Sequence, residues 1–380
     1  MQTAEGAVLL TGATGFVGME LLARFLEQTD RPVLALIRAG EDGDCDERLR
    51  AVVEQIAGRA DAYEDRVTAV CGDITREGLG LETRDRARLA SEVTDIVHAA
   101  ASVAFDLGLE ESRAINVDGT RRVLELAGEC RNLRSLSYVS TAYVAGDHVG
   151  TFGEDQLDVG QGFRNAYEQS KFEAERLVRS HADDLPVTIF RPSIVVGDRR
   201  TGWTRSFNVL YGPMRAFERG TYAAVPARSD APVDVVSVDY VADAILALWR
   251  RRPGDGRTYH LTAGDDAATV GELIDMTAER FGRRAPVSLP PALYRRVVHP
   301  FAVRTAKASR KRMLRRSEVY FPYFDVRVRF SDRRTREALR AARVRPRLLE
   351  SYFDRLVDFA QHTDWGKRHV QRHEVFGGRR

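Results

Sequence analysis

The sequence predicts a doubly wound, mostly parallel α/β sheet with helices on both faces, followed by a smaller, basic, mainly helical C-terminal region. Three observations carry this. Short apolar runs alternate with helical patterns through the first two thirds of the chain; a strand, glycine turn, helix and second strand fit within roughly 30 residues, as a βαβ unit demands; and near residue 275 prolines and basic residues take over. Strands alternating with helices bury both faces of a parallel sheet. A chain of 380 residues, 43% hydrophobic, has enough apolar surface for a full core.

The first strand is Ala7-Val8-Leu9-Leu10-Thr11, an uninterrupted apolar run of the kind a central parallel strand requires. It ends in Gly12-Ala13-Thr14-Gly15-Phe16-Val17-Gly18, after which Met19 to Gln28 is helical in pattern. Asp30-Arg31-Pro32 breaks the chain before a second strand, Val33 to Ile37. Further buried strands read at Val67 to Cys71, Ile96 to Ala99, Ser135 to Val139 and Val187 to Phe190, with helices at Ile115 to Cys130 and Asn165 to Ser180. The division falls into a domain over 1–275, with insertions around 200–235, and a region over 276–380. In the latter, Val326, Val328 and Phe330 alternate with Arg327 and Arg329 as one half-buried strand, and Leu348 to Phe359 reads as an amphipathic closing helix.

No apolar run approaches the roughly 18 to 20 residues of a spanning helix, and the N-terminus lacks the basic flank and apolar length of a signal peptide. The expectation is a cytoplasmic chain. Cys45, Cys71 and Cys130 are odd in number and widely spaced, which reads as reduced bystanders rather than a disulfide framework, and no metal site is expected. The net charge of +3 conceals an asymmetry: residues 281–380 carry 26 Lys and Arg against 9 Asp and Glu, whereas the rest carries 32 against 46. Its focus, Ala302 to Arg316, has three readings: a solvated helix face, a dock for an acidic carrier or phosphates, or peripheral contact with a membrane surface. Nucleic-acid binding lacks aromatic interleaving or a recognisable module.

A glycine triplet alone is a weak signal, because turns without function also contain one. Here a strand precedes it and a helix opens within it, so backbone N–H groups and a helix N-terminus converge where a pyrophosphate binds. Thr11, Gly12, Thr14, Gly15, Phe16, Val17 and Gly18 are therefore candidate cofactor contacts. Twenty residues beyond Gly18, where an acid would accept ribose hydroxyls, stands Arg38. A cation there suits a 2′-phosphate, which predicts NADP(H). Arg48 is either a second cation on that phosphate or solvated surface. Asp73 and Ile74 follow one strand end, placed to cover the adenine, and Ala99 and Ala100 follow the next.

In Asn165-Ala166-Tyr167-Glu168-Gln169-Ser170-Lys171, Tyr167 and Lys171 lie at i and i+4 on one helix face. A free phenol titrates near pH 10; a cation one turn away stabilises its phenolate and lets it serve in proton transfer. Such a pair alone is most often an idle amphipathic helix. Two further motifs argue otherwise: Val139-Ser140-Thr141-Ala142 ends a strand with hydroxyls where doubly wound sheets place ligands, and Phe190-Arg191-Pro192-Ser193-Ile194 follows the helix with a sharp exit, adding Pro192 and Ile194 to the candidate cofactor contacts.

Together these motifs resemble the extended short-chain dehydrogenase/reductase family over roughly residues 7–275. The resemblance implies a Rossmann-type fold and a catalytic Thr141, Tyr167 and Lys171, with Tyr167 and Lys171 also touching the cofactor, Ser140 as the second candidate hydroxyl and Asn116 as a structural asparagine. A narrower resemblance, to fatty acyl-CoA reductases and the terminal thioester reductase domains of carboxylic acid reductases and peptide synthetases, rests on His98-Ala99-Ala100-Ala101-Ser102-Val103-Ala104-Phe105-Asp106, Val233-Asp234-Val235-Val236-Ser237-Val238-Asp239-Tyr240 and Phe321-Pro322-Tyr323-Phe324. It implies NADPH-dependent reduction of an acyl thioester, carried by CoA or an acidic acyl-carrier protein, to an aldehyde or onward to an alcohol. Substrate contacts are then expected from Trp203 to Gly212 and the C-terminal region. Two alternatives stand: a dehydrogenase or epimerase acting on a sugar nucleotide or steroid-like alcohol, and a non-catalytic NADP-binding regulator.

Overall fold

The computed structural model describes residues 6–39, 44–207, 209–221, 223–305, 311 and 318–376. Most of the basic stretch 302–316 lies outside them. A seven-stranded sheet forms the centre, with β1 (Ala7–Thr11), β2 (Val33–Ile37), β3 (Val67–Cys71), β4 (Val93–His98), β5 (Ser135–Val139) and the strands Val187–Pro192 and Thr258–Leu261. All pairings are parallel, and the spatial order is Thr258–Leu261, Val187–Pro192, β5, β4, β1, β2, β3. The chain steps outward from β1 to β3 and then returns to place β4 on the other side of β1. That reversal opens a crevice at the carboxyl ends of β1 and β4, where this class of sheet binds ligands.

Successive residues of β1 point to opposite faces. Val8 and Leu10 enter one core with α1 (Phe16–Gln28), α2 (Cys45–Ala57) and the helix Val238–Arg251. Leu9 enters the other, with α3 (Thr83–Glu92), α4 (Leu109–Glu129) and α5 (Ala166–Arg179). The continuous apolar runs read from the sequence are therefore central strands covered twice.

The later residues return to this frame. Val328–Phe330 pairs in parallel with Gly150–Phe152, with Val328 and Phe330 buried and Arg329 exposed between them, the alternation expected from the sequence. The closing helix spans Phe353–His362, shifted toward the C-terminus of the expected Leu348–Phe359. In the final helix, Arg372–Phe376, the buried Arg372 donates to Glu20 (2.7 Å) and Glu27 (2.8 Å) on α1.

The reading of all three cysteines as reduced is corrected: Cys45 and Cys71 form a disulfide, with Cα atoms 5.6 Å apart, and only Cys130 is free. Pairing of β2 with β3 sets Ile37 beside Cys71, and the chain turns back after Ile37 to start α2 at Cys45. Spacing along the sequence conceals this proximity, which is within the reach of a disulfide.

Candidate active site

The glycine turn is built by close approach. Gly12 has φ +78°, and a Cβ there would stand 2.6 Å from the Ala100 nitrogen, across the crevice between β1 and β4. A Cβ on Gly18 would stand 2.0 Å from the Gly12 carbonyl oxygen. Gly15 caps α1 without a side-chain hydrogen bond, and no acidic residue lies in the first turn, so the leading N–H groups of this 13-residue helix keep their capacity for an anion.

Helix α5 is fixed at both ends. Asn165 caps it, accepting the Glu168 N–H at 2.9 Å, and Glu175 anchors its other half through a fully buried pair with Arg191 at 2.6 Å. Asn116 joins α4 to α5 by donating to Ser170 Oγ (2.9 Å) and accepts the Ser102 N–H (2.8 Å), a structural role consistent with the sequence reading. Ser140 donates to Glu175 at 2.7 Å, so its hydroxyl is committed to the anchor. Thr141 lines the cavity beside Tyr167: its hydroxyl donates to the Pro192 carbonyl at 3.4 Å and accepts the Tyr143 N–H at 3.2 Å.

One cavity of about 870 Å³ gathers Gly15, Phe16, Val17, Gly18, Ala99, Thr141, Tyr167, Lys171, Pro192 and Ile194. These candidates come from five separate segments of sequence and meet at the carboxyl edge of the sheet. Thr11, Gly12, Thr14, Arg38, Arg48, Asp73, Ile74 and Ala100 do not line it. The Thr11 hydroxyl is buried against His98 (2.7 Å) and accepts the Ala100 N–H (3.2 Å). Arg38 is exposed at the end of β2, and Arg48 folds back from α2 to donate to its carbonyl, which brings the two side chains to the same strand end. Asp73 closes a turn by accepting from the Thr75 N–H and hydroxyl, both at 2.8 Å, and Ile74 faces Gly119 on α4.

The electrostatics separate Tyr167 from Lys171. Desolvation in the cavity pushes the Tyr167 phenol up to about 12, against the hydrogen bond from Thr141. Burial pulls Lys171 down to about 7, against the attraction of Glu175. Tyr167 is thus a neutral phenol at neutral pH, while Lys171 titrates there.

Sequence reasoning missed the roof. Phe105 lies 5.7 Å from the Tyr167 ring and stacks on Tyr323 at 5.5 Å, and Tyr323 also meets Tyr143 edge-on at 5.5 Å. Asn165 donates to the Tyr323 hydroxyl at 2.8 Å, tying the C-terminal region to the cap of α5. The string Phe321-Pro322-Tyr323-Phe324 was the available signal, noted for its resemblance alone. Of the expected substrate segment, Ser206 and Val209 do line the cavity. Trp203 does not: it is buried, donates to the Val370 carbonyl at 3.1 Å and packs on Phe16 as core. Ile194, Val209 and Tyr323 also wall a second, apolar recess of about 80 Å³ together with Met214, Phe217 and Leu273.

Fold and site together define a nicotinamide-dinucleotide-dependent oxidoreductase of the extended short-chain type. The chain belongs to the male sterility protein family, whose model matches residues 10–245. Among curated relatives it is 31% identical over 283 residues to a fatty acyl-CoA reductase, Wat, of Drosophila melanogaster, covering 64% of this chain and 54% of the relative. It is 36% identical over 256 residues to an isonitrile lipopeptide synthase of Streptomyces coeruleorubidus, covering 65% of this chain and 17% of the relative. The chain thus spans about half of one relative and a smaller share of the other. Among solved structures, the terminal R domain of a myxalamid PKS-NRPS pathway superimposes with a TM-score of 0.81 at 29% identity, over 97% of this chain and 94% of that one. Among the described residues no helix is long and apolar enough to cross a membrane.

Proposed function

We propose that this protein reduces an acyl thioester with NADPH, releasing a thiol and an aldehyde. The observation that carries the reading is the convergence of Thr141, Tyr167 and Lys171 in a cavity that shares Ile194, Val209 and Tyr323 with an apolar recess. The glycine turn at Gly15 to Gly18 would hold NADPH, which would supply hydride for a thioester carbonyl carbon. Thr141 and Tyr167 hydrogen-bond the carbonyl oxygen as negative charge develops on it, and Tyr167 donates its proton there. The resulting hemithioacetal expels the thiol, regenerating a carbonyl as the aldehyde. Lys171 offsets the negative charge left on Tyr167. The apolar recess suits a hydrocarbon acyl chain, and the thiol belongs to CoA or the phosphopantetheine of an acidic carrier protein.

The test follows NADPH consumption and free thiol together, across acyl-CoAs from acetyl to palmitoyl. Equal amounts of thiol and oxidised cofactor, with turnover rising as the chain lengthens, support the proposal. Tight NADPH binding without thiol release from any thioester overturns it in favour of an alcohol or sugar-nucleotide substrate.

Arg38 and Arg48 at the end of β2 support NADPH over NADH through charge-assisted bonds to the 2′-phosphate. Losing one such bond costs about 1.5–3 kcal/mol, so Arg38→Ala is expected to weaken NADPH binding by about 10- to 100-fold. NADH binding should change little. A titration of both cofactors followed by protein fluorescence checks this, and equal weakening of the two would remove Arg38 from phosphate recognition.

A further inference from the structure

A buried run of polar groups links Lys171 to the glycine turn. Lys171 Nζ donates to Tyr138 Oη and to the Val139 carbonyl, each at 2.9 Å, and lies 4.4 Å from the centre of the Tyr138 ring. The Tyr138 ring lies 5.7 Å from that of His98, and its hydroxyl neighbours Thr120. Thr120 Oγ1 donates to the Asn116 carbonyl at 2.6 Å and faces His98 Nε2 at 3.1 Å. His98 Nδ1 faces Thr11 Oγ1 at 2.7 Å, and Thr11 accepts the Ala100 N–H against which Gly12 is packed. Tyr138, Thr120, His98 and Thr11 are each 2% exposed or less.

One assignment of protons satisfies the chain. Thr11 receives the Ala100 N–H, so its own proton goes to His98 Nδ1. Thr120 gives its proton to Asn116, so His98 carries a proton on Nε2 and donates it to Thr120. His98 remains neutral in this role, since burial, then the nearby Lys171, pull it down to about 3. The chain ends at a backbone amide and a backbone carbonyl, so this arrangement is a frame that fixes direction rather than a conduit for protons.

Composition adds an independent observation. Of 58 Lys and Arg residues only four are lysine: Lys171, Lys307, Lys311 and Lys367. Arginine supplies nearly all fixed positive charge in this chain, and lysine stands at the buried position where a compact, deprotonatable amine can act.

We propose that Tyr138 is a positioning residue for Lys171, held in place by Thr120 and His98, and that it aims the amine at Tyr167 in register with the cofactor turn. The inference rests on the catalytic assignment of Lys171 above. The ionisable groups that act on the amine are Glu175 on its own helix, Tyr138 from β5 and His98 from β4, with Arg191 neutralising Glu175; Tyr167, one turn away on the helix, lines the same cavity.

Tyr138→Phe retains the ring and removes only the acceptor. In protein labelled with 13C at lysine Cε, four signals are expected, and Lys171→Met identifies one of them. Without its acceptor the ammonium form is less favoured, so the Lys171 midpoint should fall by about one pH unit in the cofactor-free Tyr138→Phe protein, the size of one hydrogen bond to a charged group. The kcat for thiol release should fall about 10- to 100-fold, as misaimed catalytic groups do, with the KM for NADPH within about twofold of wild type. Thermal unfolding of each variant confirms that it is folded. His98→Asn, which breaks the chain farther from the amine, should move the midpoint in the same direction by less. Unchanged Lys171 titration and kcat in folded Tyr138→Phe would overturn the proposal and leave Tyr138 as core packing. Because the titration needs neither cofactor nor thioester, it still reads Tyr138 if wild-type protein reduces no thioester.

Discussion

Tyr167→Phe removes a single oxygen atom and is expected to lower NADPH-dependent thiol release by about 10²- to 10⁴-fold, the range for loss of a general acid. The ring remains against Phe105, so the roof over the cavity is preserved. The loss should fall on kcat and kcat/KM alike, since the phenolic proton is used in the transition state. Parallel rate measurements on wild type and variant, with NADPH binding measured separately, decide the matter. A variant that keeps more than about a tenth of wild-type kcat would show that another group donates the proton; Thr141, which lines the cavity beside Tyr167, is the neighbour to examine next.

The second large effect is expected at the glycine turn. Gly18→Ala adds one methyl group 2.0 Å from the Gly12 carbonyl oxygen, and the obstacle is backbone that belongs to the turn itself. Relieving the clash moves Gly12, which is packed against Ala100 at the end of β4. Ligand binding stabilises a folded protein by about 2.7 kcal/mol when the ligand stands at 100 times its Kd. Wild-type protein should therefore melt several degrees higher with saturating NADPH, whereas Gly18→Ala should melt lower than wild type without ligand and gain almost nothing from it. A full NADPH-induced rise in the variant would mean that the turn absorbs the methyl group and that the pyrophosphate seat lies elsewhere.

The parts legible in the sequence share one property: the information was local. Ala7 to Thr11 is apolar at every position because both of its faces are covered, and it is followed at once by its turn and helix. Tyr167 and Lys171 needed only helical spacing to be placed together. What stayed hidden depended on contacts between distant segments. Cys45 and Cys71 meet only once β2 has paired with β3. Ser140 and Thr141 are equivalent in composition, and Glu175 distinguishes them by taking the serine hydroxyl. Trp203 lies within a segment that contributes to the cavity but turns its ring into the core. The first turns of α4, opening Leu109-Glu110-Glu111, carry too few apolar residues to register as helix, so the expected start at Ile115 fell six residues late.

Pairing of Val328–Phe330 with Gly150–Phe152 also governs when the site comes into being. During synthesis the last strand of the central sheet, Thr258–Leu261, leaves the ribosome well before Tyr323 and the strand that follows it. At about 5 to 20 residues per second that interval is on the order of 3 to 14 s. Through it the nascent chain can own a finished nucleotide fold with Tyr167 and Lys171 in place, yet its Phe105 and Tyr143 rings still face water. Gly150–Phe152 waits as an unpaired edge over the same interval. The newborn protein thus owns its dinucleotide fold before Tyr323 completes the cavity wall against Phe105 and Tyr143.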